Sequence, residues 1–410
     1  MAGVIIAGGG LAGARTAETL RESGFSGDIT ILAGESHLPY DRPPLSKGYL
    51  KGEAELDEVE LHDQAWYDEH KITVKSGTLV TEIVPAEHQI VTDGGDRVDY
   101  DQLVLATGSS ARQLDLPGAN LKGVLYLRTL EDSNVLKSAL SDAGSLRLAV
   151  IGGGWIGLEV TSAFADAGAK VTVLETQEQP LQNALGTEMG AFFAKLHRSH
   201  GVDLRTEVAV ESIQPNADGA AVGSVKLTDG TEIPADLVLI GIGATPNVEF
   251  ARAAGLTVDN GVVVDKHGRT SEADIFATGD IANYPDRVLG RLRVEHQTTA
   301  ITHPLAVATA ITGGSDGYDE RPFFYSDQYD LGLEYAGRGA PGDQLVIRGD
   351  QEKAEFIAFW LRDNKLTAGM NVNVWDVSEQ IAELISNETI VDPVKLADPE
   401  VPLDQVAADK

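Results

Sequence analysis

The sequence contains no cysteine among its 410 residues. That excludes disulfides, thiolate nucleophiles, cysteine-ligated metal clusters and every redox mechanism built on a CxxC or CxxxxC pair. Redox chemistry, if present, must come from a bound organic cofactor or a metal held without thiolates. Basic residues are also scarce, 32 Lys and Arg against 63 Asp and Glu, and the formal charge of -31 repels nucleic acid and anionic membrane surfaces. No apolar run approaches the ~20 residues that a membrane-spanning helix needs, and the opening MAGVIIAGGG lacks the basic region of a signal peptide. A soluble, cytoplasmic chain without nucleic-acid or membrane partners is expected. The nine histidines show neither HxxxH nor His–carboxylate spacing, so no metal site is expected. There is no nucleophile elbow either.

The length implies two or three domains. The first 32 residues read as a β-α-β unit: an apolar strand at 4–7, a glycine turn, a helix to about residue 23 and a strand at 28–32. The pattern returns at Leu148, where LAVIGGGWIGLEVTSAFADAGAKVTVLE again gives strand, glycine turn, helix and strand. Its period is far longer than that of stacked repeats, so it reads as a duplicated nucleotide fold. From about residue 319 the texture changes to short antiparallel strands followed by a helix at 377–386. The segment 391–410, rich in acids and proline, is expected to be a loosely packed tail.

Gly8-x-Gly10-x-x-Gly13 lies between strand and helix, the context that gives a GxGxxG motif its meaning. The first glycine permits the turn, the second lets backbone approach a pyrophosphate, and the third packs helix on strand. Leu11 and Ala12 open the helix whose free N–H groups would face the phosphates. The acid for the ribose hydroxyls should follow about 20 residues later, and Glu35 is the candidate, although Ala33 holds the usual strand-end position. In the second copy, Gly152-x-Gly154-x-x-Gly157, Trp155 and Ile156 open the helix and Glu175 ends the second strand. A carboxylate there repels a 2′-phosphate, which predicts NADH over NADPH. Trp155 has two readings, cover for a cofactor face or packing at an interface. Glu159, one turn further on, is either a solvated residue or the partner of a lysine.

Two dinucleotide folds, with ATG at Ala106, Thr107 and Gly108 and ATGD at residues 277–280, resemble the two-dinucleotide-binding flavoproteins. Within that superfamily LPYDRPPLSKGYL at 38–50, YLRTLED at 126–132, GIGATPN at 241–247 and FFYSDQYD at 323–330 resemble the oxygenase-coupled NADH-dependent ferredoxin reductases, to which apoptosis-inducing factor is related. The resemblance runs to about residue 386. It implies an α/β protein of glutathione-reductase-like architecture. One FAD would be bound by residues 1–112 and 245–318 and NADH by 113–244, with a C-terminal α+β domain at 319–390. It also implies FAD contacts from Arg42, Lys47, Val80, the ATG residues, Arg128, Gly279, Asp280 and Gln297, and an NAD contact from Gly243. Lys47 would pair with Glu159 beside the flavin, and these two are the catalytic candidates.

The activity implied is hydride transfer from NADH to FAD and single-electron transfer to a [2Fe-2S] ferredoxin or rubredoxin serving a cytochrome P450 or ring-hydroxylating oxygenase, by a monomer or weak homodimer. The alternatives are a flavin NADH oxidase or a quinone or dye reductase without a protein partner, and an NADH-sensing flavoprotein. Gln297 and Tyr325 stand where the family commonly carries tryptophan. An acidic carrier would need a basic patch on this acidic chain, and Arg291, Arg293, Arg321 and Arg338 are the candidates.

Overall fold

The computed structural model describes residues 3–408. The chain gathers into two compact units. The first comprises Met1–Arg42, Leu56–Ser110 and Thr245–Phe324, and the second Pro43–Glu55, Ala111–Ala244 and Tyr325–Lys410.

The first unit is built on a five-stranded parallel sheet, in the order Ile275–Ala277, Gln102–Leu105, Val4–Ala7, Ile29–Leu32, Ile72–Lys75. Strands such as VIIA and QLVL have no polar face because both sides of a parallel sheet are covered, and Val4, Ile5, Ile6 and Ala7 are all buried. The helices Leu11–Glu22 and Gln297–Ile311 pack against each other. The unit also carries an antiparallel three-stranded sheet, Val80–Val84, Gln89–Thr92 and Arg97–Asp99, and a second three-stranded sheet of Val262–Val263, Ala282–Asp286 and Gly290–Leu292.

The second unit repeats the device. Its parallel sheet runs Asp203–Arg205, Lys170–Leu174, Arg147–Ile151, Leu237–Ile240, Val124–Leu125. The C-terminal portion is a five-stranded sheet in the order Phe323–Gln328, Leu331–Gly337, Lys365–Val372, Glu355–Arg362, Gln344–Asp350, the last four of which pair antiparallel, with the helix Ser378–Ser386 against it. The α/β class and the α+β C-terminal portion are as the sequence predicts.

The tail is not loosely packed. Asp392 caps the helix Pro393–Ala397 by accepting from the Val394 and Lys395 N–H groups, with Pro393 in the first turn, where its missing N–H costs nothing. Leu396 and Val406 are fully buried and Leu403 nearly so. The Arg348 guanidinium donates to the carbonyls of Leu396, Asp398, Pro399 and Val401 at 3.3, 2.7, 3.2 and 2.7 Å. Average acidity hid three spaced apolar anchors and an arginine 48 or more residues upstream that saturates the backbone.

Candidate functional site

In both fingerprints the outer glycines are filled by protein and the middle one is open. A Cβ on Gly8, whose φ is +123°, would meet the Ala106 carbonyl oxygen at 2.2 Å, and one on Gly13 would meet the Gly8 carbonyl oxygen at 2.0 Å. A Cβ on Gly10 would meet nothing within 4 Å. In the second fold the corresponding contacts are 2.5 Å for Gly152 and 2.4 Å for Gly157, while the nearest atom to a Cβ on Gly154 is 3.7 Å away. Gly10 and Gly154 are also the N-caps of their helices and supply no capping side chain, so the first N–H groups face the same open space. Each cradle is shaped for a pyrophosphate. The residues present therefore fit a dinucleotide in each fold.

The rest of the first site surrounds that cradle in the first unit. Ala12 stands against Gly279, which a Cβ would bring to 2.7 Å from it, so the helix opening is seated on the segment bearing Asp280. Asn247 holds the ATG turn, its Nδ2 donating to the Thr107 carbonyl at 2.8 Å and its N–H to the Gly108 carbonyl at 3.0 Å. The fully buried Thr278 hydroxyl finds no partner among the described residues, a polar group left for a ligand or water. Glu35 accepts from the Tyr40 hydroxyl at 2.5 Å and the Arg42 guanidinium at 2.6 Å. Burial would lower the Arg42 pKa, but Tyr40 and Glu35 outweigh it and hold the guanidinium above its ordinary value. Ala33 occupies the strand-end position, and Gly9 must lack a side chain beside it: a Cβ on Gly9 would come 2.3 Å from that of Ala33. Gln297 opens its helix and donates to Asp41. Val80 turns its side chain into the core beside Ile5, Ala7 and Leu32, so it has only backbone to offer a ligand.

In the second unit Glu175 follows the strand directly. It accepts from the Gly153 N–H at 2.7 Å and the Gln177 N–H at 2.8 Å, which tie the acid to the glycine turn and leave lone pairs for ribose hydroxyls. Gly243, at φ +97°, has open space where a side chain would stand. Ile156 is 42 % exposed on the same helix opening. The Trp155 ring packs edge-on against Phe193, centroids 5.9 Å apart, which supports its packing role. Arg128 precedes Thr129, the N-cap of the helix Leu130–Leu140, and its N–H donates to Asp132, the acid of the Thr129–Asp132 capping box.

The strongest polar constellation also lies in the second unit. Lys47 Nζ stands 2.7 Å from Glu159 Oε2, with Glu159 buried to 3 % exposure, so the solvated reading of Glu159 is set aside. Two further donors complete the carboxylate: Ser46 Oγ to Oε2 at 2.5 Å and Ser326 Oγ to Oε1 at 2.6 Å. The Tyr325 ring lies with its centroid 5.4 Å from Lys47 Nζ. Lys47 and Ser46 come from the motif PYDRPPLSK, but neither serine was singled out from the sequence. The only available signal for Ser326 was strand alternation, which puts Ser326 and Gln328 inward while Tyr325 and Asp327 face out.

The basic patch proposed for a protein partner is not built as expected. Arg321 is buried between Asp286 and Asp319. Arg293 pairs with Glu295 and donates to the Asp280 carbonyl, and Arg291 donates to the carbonyls of Val264 and Asn283. Arg291 and Arg338 are exposed, Arg291 with its guanidinium already bonded to backbone. Arginine next to acids in sequence paired internally, as expected where carboxylates outnumber cations about twofold.

A model described as pyridine nucleotide-disulphide oxidoreductase matches residues 2–303, and one described as reductase C-terminal matches 323–407. The chain belongs to the pyridine nucleotide-disulphide oxidoreductase family. It is similar along its length to rhodocoxin reductase of Rhodococcus erythropolis, 38 % identical over 96 % of this chain and 92 % of that one. It is also similar to putidaredoxin reductase of Pseudomonas putida, 37 % identical over 99 % of this chain and 96 % of the other. Among solved structures, one described as the covalent putidaredoxin reductase–putidaredoxin complex matches with a TM-score of 0.95 and 36 % identity, covering 99 % of this chain and 98 % of that one. The dithiol chemistry in the family name is closed to a chain without cysteine.

Proposed function

We infer that the chain is an FAD-dependent NADH:ferredoxin oxidoreductase, the electron-input enzyme of an oxygenase system. It works in the cytoplasm. The observation that carries this reading is the buried Lys47–Glu159 pair in a cysteine-free chain with two dinucleotide cradles. The full-length relatives carry the same conclusion, since they include a ferredoxin–NAD(+) reductase component of an anthranilate dioxygenase system, 38 % identical over 97 % of this chain. The balance is one NADH and two oxidised carriers giving NAD⁺, one proton and two singly reduced carriers.

FAD supplies the capacity to accept a hydride and release electrons one at a time. The protein's residues do the rest. The Gly8–Gly13 cradle, with Asp280 and the ATG turn, holds that cofactor, and the Gly152–Gly157 cradle holds NADH. Glu175 accepts from the adenosine ribose hydroxyls and repels a 2′-phosphate. Alignment of donor and acceptor supplies much of the rate. Lys47, whose charge Glu159 holds in place, would stabilise negative charge on the reduced flavin.

The test is anaerobic mixing of the purified yellow protein with NADH or NADPH, followed by a [2Fe-2S] ferredoxin. Fast NADH-selective bleaching that ferredoxin reverses is the expected result. Bleaching that only dioxygen or a quinone reverses would overturn the carrier assignment, and a persistent charge-transfer band with every acceptor would point to a sensor.

A further inference from the structure

Glu159 is the end of a longer arrangement. Ser326 Oγ lies 2.6 Å from Glu159 Oε1, Gln328 Nε2 lies 3.4 Å from Ser326 Oγ, His197 Nε2 lies 2.9 Å from Gln328 Oε1, and the Tyr329 hydroxyl lies 3.0 Å from His197 Nδ1. Ser326, Gln328 and His197 are wholly buried. Tyr329 is half-buried and stacks on the exposed His200, ring centroids 3.6 Å apart. The chain of contacts therefore runs from a buried ion pair to the protein surface.

Every proton position in it follows from the carboxylate. A carboxylate only accepts, so the Ser326 hydroxyl must donate to Glu159, and its oxygen is left to accept from Gln328. The Gln328 amide thus presents NH2 to Ser326 and its oxygen to His197. That oxygen needs a donor, so His197 carries its proton on Nε2, and Nδ1 accepts from Tyr329. All four hydrogen bonds point the same way. Such a chain is polarised along its length and strengthens each member.

We propose that His197 is a positioning residue for the Lys47–Glu159 pair, acting through a one-way hydrogen-bond chain, Tyr329 to His197 to Gln328 to Ser326, that ends on the Glu159 carboxylate. The chain draws negative charge from Glu159, so that more of the Lys47 charge is felt where the flavin is reduced. It also joins three segments distant in sequence: the helix Trp155–Asp166, the helix Gln182–Ser199 and the strand Phe323–Gln328. The flavin part of the proposal rests on the reading of Lys47 given above; the proton positions do not.

The test has two parts. Nitrogen NMR of the FAD-loaded protein labelled at histidine is expected to show His197 neutral and protonated on Nε2 at neutral pH, with that preference weakened in Tyr329→Phe, which removes one hydroxyl without disturbing the core. An Nδ1–H or doubly protonated His197 overturns the chain. The midpoint potential of the bound flavin is then compared in Ser326→Ala, Gln328→Leu, Tyr329→Phe and Lys47→Ala. A stronger uncompensated carboxylate opposes negative charge on the reduced ring, so the potential is expected to fall in Lys47→Ala and, within the hydrogen-bond chain, most in Ser326→Ala and least in Tyr329→Phe. A potential unchanged in Ser326→Ala and Gln328→Leu but shifted in Lys47→Ala overturns the proposal alone. Potentials unchanged in all four overturn the placement of Lys47 and the proposal with it.

Discussion

Lys47 Nζ and Glu159 Oε2 stand 2.7 Å apart across 112 residues of sequence, with the carboxylate almost wholly out of water. A buried ion pair is stable only when its remaining donors and acceptors are satisfied. Here that condition is met by Ser46 and Ser326, one on each carboxylate oxygen. Removing either hydroxyl leaves a buried anion short of a donor and is expected to cost about 1–3 kcal/mol. Urea unfolding of Ser46→Ala and Ser326→Ala checks this. An unchanged midpoint and slope in both variants would show that water replaces the hydroxyls freely.

The glycines of the first cradle divide into two kinds. Gly10→Ala adds a methyl group into open space and is expected to leave the fold intact while displacing the pyrophosphate, giving a soluble, colourless protein. Gly8→Ala forces a methyl into the Ala106 carbonyl at a φ of +123° and is expected to yield no folded protein. Absorbance at the flavin maximum and circular dichroism of the two variants separate these outcomes. A Gly10→Ala protein that retains full flavin occupancy would contradict the assignment of the open side to the cofactor.

How much of this was legible in the sequence depended on whether a residue's demand is local. Gly13 and Gly157 have contacts fixed within one strand-turn-helix, while Gly8 and Gly152 meet the carbonyls of Ala106 and Gly241; the spacing of the motif located all four. Glu175 likewise ends the strand that immediately precedes it. Strand alternation turns Ser326 and Gln328 inward, but nothing local to Ser46, Ser326, Gln328 or His197 names a partner: a serine in a loop or a histidine late in a helix is commonplace. Their meaning comes from pairings over more than 100 residues, which sequence periodicity does not encode. Arg321 is unavailable for docking for the opposite reason, because position in a chain says nothing of whether Asp286 has already claimed the charge.

The tail offers a separate test of packing. Arg348 fills four carbonyl acceptors that would otherwise face solvent or each other. Arg348→Ala is expected to release residues 393–408, since hydrogen bonds from a charged donor contribute about 1.5–3 kcal/mol each in favourable cases. Limited proteolysis should then clip within that segment while the remainder stays intact. A variant that resists protease as the parent does would assign the tail's order to Leu396 and Val406 alone.

Nucleotide choice rests on one side chain. Glu175→Ala is expected to raise the KM for NADH about tenfold or more, the equivalent of one hydrogen bond to a charged group, and to improve the use of NADPH by removing repulsion of the 2′-phosphate. Because Glu175 also accepts from the Gly153 N–H, some loss with both nucleotides accompanies the change. The diagnostic quantity is the ratio of kcat/KM for the two nucleotides. An unaltered ratio would move the selectivity to another residue.

Two buried histidines set an acid limit on stability. Burial pushes the His197 imidazole down to about 4, with Gln328 opposing the shift and His200 adding to it, and burial pushes His303 down to about 4, with Asp265 opposing. His303 lies among Tyr284 and Tyr318, and Asp166 faces Tyr329 beside His197. In the unfolded chain both titrate near 6.5, so between about pH 6.5 and 4 the unfolded state binds protons that the folded state refuses. Their contribution is therefore fully present above about pH 6.5 and is lost as pH falls toward 4, to a limit of about 3 kcal/mol for each. The many carboxylates add their own slope, so the informative measurement is the difference between the parent and His303→Leu in urea unfolding across that range. The difference is expected to vary with pH by the equivalent of one proton; a constant difference would mean that His303 already takes up a proton inside the fold.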